Sequence, residues 1–573
     1  MSDDARTLLA QAVALHQQGA LATAEALYRR VLAAAPRQAN ALHLLGVLIA
    51  QRGRPDEAIA LIGAAVAEAP DDAIFHANLG RARKAAGQQT EALASFDCAI
   101  ALGSTDPGVF NDRGNLLRDL QRPQAALDSL DAAIALRPDY VEAFNNRGNA
   151  LLDLGRHQEA LASYAQAIAL RPDYAEAFSN RGNALLDLER YQEALASYDQ
   201  AIALRPAYAD AVANRGAALG VLGQHAAALQ SYVQALALRP DHPAARFGRA
   251  GCLLLSGDLA RGWVEYEWRW RMPALAMHGP RFARPPWLGA EPLAGKTVLL
   301  HAEQGFGDTL QFCRYATLVA ARGARVVLGV ARPLTRLLAT LDGCAQVFSD
   351  GEPVPAFDLH CPLMSLPLAF GTTLETIPPP ARLAPPADAV AEWRRRLAPL
   401  PTPRVGLCWA GAPRRDDPAA RAIDRRRSIT LAHYAPLAGV AGPTFIAPTF
   451  IALQKGEAAA QMATPDAGIS VHDWTDELDD FADTAALIEA LDLVITVDTA
   501  VAHLAATLGK PTWILSRFDG CWRWLIDRRD SPWYPSVRLF RQPAPGDWDA
   551  VINAVAAALR DFTRQSPPSC AVW

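Results

Sequence analysis

The stretch VEAFNNRGNALLDLGRHQEALASYAQAIALRPDY, residues 141–174, decides the fold of the first half of this chain. Phe144, Leu151 and Leu152 fall at helical spacing, and Ala160, Leu161, Tyr164, Ala167 and Ile168 do so again after a break at Leu154-Gly155-Arg156. Arg171-Pro172-Asp173 ends the unit, because proline cannot continue a helix interior. Two short helices are therefore predicted, with small residues, Gly148 and Ala160, where they cross. The same unit recurs outward in both directions. Gly46, Gly80, Gly114, Gly148, Gly182 and Gly216 are spaced by 34 residues, with Ala12 and Ala250 at the next step on either side. Pro36, Pro70, Pro138, Pro172, Pro206 and Pro240 run in phase, broken only by Ser104.

A period of 34 with this order of small, aromatic and proline positions is the tetratricopeptide (TPR) pattern. One helix pair cannot bury its apolar face alone, so stacked pairs are expected to wind into an α-solenoid with a long concave surface. Seven repeats are assigned to residues 1–242. Residues 243–271 read as a degenerate capping repeat that ends in Trp263-Val264-Glu265-Tyr266-Glu267-Trp268-Arg269-Trp270-Arg271. Residues 272–296, which include the Pro- and Gly-rich segment Pro280 to Gly295, read as a linker.

At 573 residues the chain is too long for one core. Its formal charge of −5 gives no electrostatic footprint for nonspecific nucleic-acid binding. The eight cysteines are scattered without CxxC pairing, which argues for neither a disulfide framework nor a zinc site and fits a reducing compartment. A polar, acidic start and the lack of any apolar run of about 18 residues lead to the expectation of a cytoplasmic protein with no transmembrane segment.

Beyond residue 296 the periodicity changes to alternating strands and helices. Thr297 to Ala302 reads as a buried strand, Gly305-Phe306-Gly307-Asp308 as a tight turn and Thr309 to Arg322 as a helix. Strands are expected at Ala324 to Val330, Ala345 to Phe348 and Phe357 to Leu359. A second series starts at Arg404: strand Val405 to Trp409, helix Thr430 to Val440, strand Phe450 to Leu453, helix Ala485 to Leu491 and strand Leu493 to Val497. These series predict two Rossmann-like α/β domains, 297–400 and 401–565, followed by a tail at 566–573. Ligands of such sheets bind outside the carboxyl ends of the strands.

Three segments there are candidate sites. Glu303-Gln304-Gly305-Phe306-Gly307-Asp308-Thr309 follows the first strand, where glycines permit close backbone approach and helix amides favour a polar or anionic ligand. Its plain structural reading is that Asp308 caps the helix. Asp498-Thr499-Ala500-Val501-Ala502-His503 follows the strand Leu493 to Val497; Thr499 is placed to cap the next helix and hold a phosphate, with His503 one turn on. Alone, such a histidine is more often a packed or surface residue. Arg414, Arg415, Arg421, Arg425, Arg426 and Arg427, ending in Ser428, read as a solvated loop or as a basic loop over a diphosphate. Gln454-Lys455 ends a further strand. The Trp-rich run from Trp522 to Pro535 reads equally as a closing element or as a sugar or base platform.

Together with Asp424 to Ser428, Leu453 to Gly456, Trp522 to Pro535 and Arg538-Leu539-Phe540-Arg541-Gln542, these motifs resemble a TPR-fused glycosyltransferase with a heptosyltransferase-like (family 9-like) catalytic half, distantly similar to O-GlcNAc transferases. The resemblance implies a GT-B arrangement of the two domains and a nucleotide-sugar donor, with no cofactor or metal. It makes Asp308 the base that deprotonates an acceptor hydroxyl. Gly305, Gly307, Trp409, Arg427, Ser428, Gln454, Lys455, Asp498, Thr499, Ala500 and His503 become donor-binding, with Arg427 or Lys455 neutralising the leaving group. Asn78, Asn146, Asn180 and Asn214 share one repeat position, and Asn115, Asn149 and Asn183 another. The first set resembles an asparagine ladder that holds a peptide acceptor along the concave face; the alternative is that it stabilises neighbouring repeats. A noncatalytic scaffold and a lipid or polysaccharide acceptor remain the competing functional readings.

Overall fold

The computed structural model describes residues 3–276, 282–412, 418–440, 447–464 and 467–565. The chain forms two compact units, Met1–Ala211 and Val212–Trp573. The division falls inside the seventh helix pair, Ala209–Val221 and His225–Leu238.

The TPR region holds sixteen helices, from Asp3–Gln17 to Leu259–Tyr266, arranged as successive helix pairs. In the first unit, the repeat around residues 141–174 shows why the pattern is kept. Val141–Asp153 and His157–Leu170 cross at Gly148, where an added Cβ would lie 2.4 Å from Cε1 of the buried Tyr164. Glycine and an aromatic sixteen positions later are thus one packing device. Tyr164 Oη donates to Asn149 Oδ1 at 2.7 Å, and one period on Tyr198 Oη donates to Asn183 Oδ1 at 2.7 Å. Arg147 joins neighbouring helices through Asp131 Oδ1 at 2.6 Å and Ser163 Oγ at 2.7 Å.

The second unit holds the eighth pair, Pro243–Ser256 and Leu259–Tyr266, continued by a 3-10 turn at Glu267–Arg271. Here too lie the two sheets. In the first, β1 (Thr297–His301), β2 (Arg325–Val330), β3 (Cys344–Ser349) and β4 (Leu359–Pro362) are parallel, in the order β3-β2-β1-β4. In the second, β5 (Arg404–Cys408), β6 (Thr449–Ala452), β7 (Leu493–Val497), β8 (Thr512–Ser516) and β9 (Val537–Arg541) are parallel, in the order β6-β5-β7-β8-β9. The apolar runs 298–300, 493–497 and 512–516 form strands because both faces are covered, and β7 and β8 are buried throughout.

Several local expectations change. The helix expected at Thr309 to Arg322 is two, Phe306–Phe312 and Tyr315–Ala321. Between them the buried Arg314 donates to the carbonyls of Pro378 at 3.0 Å and Trp533 at 2.9 Å, a tertiary demand invisible in local periodicity. Thr430 to Val440 begins as a 3-10 turn, Leu431–Tyr434, before the short helix Ala435–Ala438. Residues 282–296 are more than a linker: Trp287 is buried, and its backbone N–H donates to the carbonyl of His360, within β4, at 2.7 Å. The arginine-rich segment is a helix, Pro418–Arg427, rather than a loop; Arg414 and Arg415 lie outside the described residues.

Candidate active site

The carboxyl ends of β1 and β7 open on one cavity of about 640 Å³, a size suited to a small-molecule substrate. On the β1 side, Gly305 precedes the helix Phe306–Phe312, and its N–H donates to Asp308 Oδ2 at 3.2 Å. Asp308 therefore does cap its helix, yet its carboxylate also lines the cavity. Its other oxygen, Oδ1, takes the Arg523 guanidinium in an ion pair, both side chains about one-sixth exposed. Gly307 lies against His503, where a Cβ would meet Cδ2 at 2.7 Å. That close approach joins the two strand-end motifs.

On the β7 side, Asp498, Thr499, Ala500, Val501 and His503 line the same cavity. His503 is buried, stacked on Trp524 at 5.0 Å between ring centroids, with Nδ1 3.1 Å from Tyr534 Oη. Burial lowers its pKa to about 4, against the opposing pull of Asp498, so the ring is neutral near pH 7. Burial by itself would raise the Asp498 carboxyl, but His503, Arg517, Arg427 and Arg523 hold it below its usual value. With His503 neutral, the three arginines are the part of that field present at pH 7. Thr499 sits at the helix N-cap as expected but makes no side-chain capping bond; its Oγ1 lies 3.2 Å from Thr496 Oγ1 and 3.8 Å from Cys408 Sγ.

Arg427 and Lys455 also line the cavity. Arg427 donates to Asp424 Oδ1 at 2.9 Å and to the Asp498 carbonyl at 3.1 Å. Lys455 Nζ donates to the carbonyls of Thr475, at 3.0 Å, and Leu478. Gln454 reaches the wall, but its Oε1 accepts from Trp409 N–H at 3.0 Å and Ala410 N–H at 2.8 Å, which makes it a brace for the loop after β5. Two expected donor contacts are corrected. Trp409 is fully buried in the second sheet's core, with its indole N–H on the Ala458 carbonyl at 3.2 Å. Ser428 lies off the wall, and its Oγ accepts the Gly411 N–H at 3.0 Å. Both lost that role because a strand-end position does not say which way a side chain turns.

The cavity includes residues that the site reading missed. Arg523 was legible only as one member of the Trp-rich run, since its partner lies far away in sequence. Phe306, Pro333, Leu478, Phe481 and Val501 give the cavity an apolar side, with the Phe306 and Phe481 rings 5.3 Å apart edge to face. Across the cleft, Arg336 pairs with Asp480 at 2.7 Å and with Asp483.

The eighth repeat braces the back of the site. Trp263 meets Phe312, Trp522 and Trp533 edge to face at 6.1, 5.3 and 6.4 Å. Tyr266 Oη accepts from Gln304 Nε2 at 3.1 Å. Arg269, 1% exposed, pairs with Glu267 at 2.5 Å and Glu303 at 3.1 Å and donates to Ser365 Oγ at 2.6 Å. Burial keeps the Glu303 carboxyl above its usual range despite Arg269.

The asparagines expected to recruit an acceptor are half-buried. Asn146 Nδ2 donates to Asn111 Oδ1 at 2.8 Å and Asn180 Nδ2 to Asn145 Oδ1 at 3.0 Å, while Asn78 Nδ2 lies 2.8 Å from His43 Nε2. In these three repeats the amide groups bridge to the preceding repeat. Asn214, in the second unit, also has a partner.

Models of the TPR repeat match residues 114–155 and 148–189, and tetratricopeptide models match 175–208, 15–82 and 222–262. The chain carries tetratricopeptide repeats. A model of glycosyltransferase family 9 (heptosyltransferase) matches residues 479–515, which include β7 and the Asp498–His503 wall of the cavity. Protein FlbA of Caulobacter vibrioides is 31% identical over 344 residues; the match covers 55% of each chain, so this chain spans about half the length of that curated relative. Among solved structures, YrrB, described as a TPR protein with an unusual peptide-binding site, is 24% identical over 32% of this chain and 95% of its own, with a TM-score of 0.30. A tetratricopeptide repeat protein from Parabacteroides merdae is 15% identical over 43% and 98%, with a TM-score of 0.37. No helix among the described residues is long and apolar enough to cross a membrane.

Proposed function

We propose that this protein is an inverting glycosyltransferase that moves a sugar from a nucleotide-sugar donor to an acceptor hydroxyl. One observation carries the reading: the Asp308 carboxylate and the Asp498–His503 segment, from the strand ends of two separate sheets, line one cavity. Asp308 takes the proton of the acceptor hydroxyl as its oxygen attacks the anomeric carbon. The bond from that carbon to the diphosphate breaks, and the leaving group keeps the electron pair. Arg427 and Lys455 supply positive charge to the cavity wall where that negative charge grows. Neutral His503 does not add a charge; it holds Gly307, and so Asp308, at the β7 side.

We assign the acceptor to a protein recruited by the TPR solenoid. The repeats support this; the asparagine amides of Asn78, Asn146 and Asn180 do not add to it, being engaged between repeats. Asp308→Asn tests the base. Transfer is expected to fall by about 10²–10⁴-fold, while nucleoside diphosphate binding is retained. Unchanged turnover in this variant contradicts the assignment.

A further inference from the structure

Among the described residues, Arg427, Lys455 and Arg523 line the cavity, and their hydrogen bonds differ in kind. Lys455 is turned to two backbone carbonyls, and Arg427 to a carbonyl and Asp424. Arg523 bonds only Asp308 Oδ1 and, weakly, Cys521 Sγ at 3.5 Å; among the described residues nothing else accepts from it. A guanidinium carries five N–H donors, so most of its fork remains for a ligand. The guanidinium lies over the Trp522 ring, its carbon 4.2 Å from the ring centroid. It also acts on the Asp498 carboxylate of the opposite wall, so it stands within electrostatic reach of both strand ends.

We propose that Arg523 is shared between Asp308 and the diphosphate of the donor, so that the diphosphate and the Asp308 carboxylate compete for one guanidinium and donor binding releases the base for catalysis. This deepens the glycosyltransferase reading and rests on it. A planar fork suits two phosphate oxygens as well as it suits a carboxylate. As the diphosphate engages Arg523, the Asp308–Arg523 pair loosens, and an Asp308 oxygen becomes able to accept the acceptor's proton. The bond from the anomeric carbon to the diphosphate oxygen then breaks, and Arg523 adds to Arg427 and Lys455 in neutralising the charge left on that oxygen. A purely structural pair between the helix Phe306–Phe312 and the 3-10 turn Trp522–Trp524 makes no such competition.

Calorimetry with ADP, GDP, UDP and CDP on the full chain separates the two. Arg523→Gln is expected to weaken the bound diphosphate by about tenfold or more, the loss of a charge-assisted pair. Asp308→Asn, which frees the guanidinium, is expected to tighten it several-fold, and the double variant to match Arg523→Gln alone. Should Arg523→Gln melt early, Arg523→Lys, which keeps the charge and loses the fork, gives an intermediate affinity under the proposal. Binding within twofold of the parent in Arg523→Gln, or no tightening in Asp308→Asn, overturns the sharing while leaving the donor reading intact. No binding of any diphosphate by the unaltered protein overturns both.

Discussion

Gly307 has room for no side chain, because the Cβ of an alanine would fall 2.7 Å from a His503 ring that Trp524 and Tyr534 already enclose. Gly307→Ala is therefore expected to cost about 1–3 kcal/mol in chemical denaturation and to shift Asp308. His503 supplies a pH test. Its folded pKa, about 4, lies below the ordinary value near 6.5, so well above pH 6.5 both folded and unfolded states carry it neutral and it contributes nothing to pH dependence. As pH falls from 6.5 to 4, the unfolded state binds a proton that the folded state refuses, and stability drops by up to about 3 kcal/mol. His503→Asn is expected to flatten that part of the stability profile relative to the parent; an identical acid limb in both contradicts the burial account. Residue type and strand-end position made Asp308 and His503 legible, whereas Trp409 and Arg523 were not. Trp409 turns into the core and Arg523 into the cavity, and both directions depend on neighbours distant in sequence.

At the scale of elements, the helix pairs were legible because each repeat spends the same residues on the same contacts, as the Gly148–Tyr164 crossing shows. What a ladder of identical asparagines does was not legible, since an amide at a helix surface suits a peptide and a neighbouring repeat equally. Asn146→Ala is expected to leave the buried Asn111 Oδ1 without its donor and to cost about 1–3 kcal/mol, read by thermal unfolding with no acceptor present. Full stability with lost acceptor binding would restore the recruiting role. The eighth repeat makes a second prediction. Arg269→Ala removes the buried guanidinium that Glu267, Glu303 and Ser365 share and is expected to destabilise the second unit by about 3 kcal/mol, the low end for a broken buried pair because Glu303 can take up a proton, measured by denaturant unfolding. The break at Arg314 escaped sequence reading for a related reason: a buried arginine that serves distant carbonyls reads locally as an ordinary polar residue.

For the whole molecule, the change of periodicity after residue 296 announced a solenoid followed by two α/β sheets, and both sheets are present. The division between compact units was harder to read. It falls within the seventh helix pair, and the aromatic residues of the eighth pack into the same core as the first sheet, so that repeat belongs to the second unit. Trp263, Tyr266 and Arg269 thereby support the segment that carries Gln304 to Asp308. The central claim is that this supported cavity transfers a sugar from a nucleotide donor. The most direct measurement is release of nucleoside diphosphate by the full chain across a panel of nucleotide sugars with a cell protein extract supplied as acceptor, and with Asp308→Asn run in parallel. Turnover of at least one donor, lost in Asp308→Asn, is the predicted result; no release from any donor, or equal release by both proteins, would contradict it.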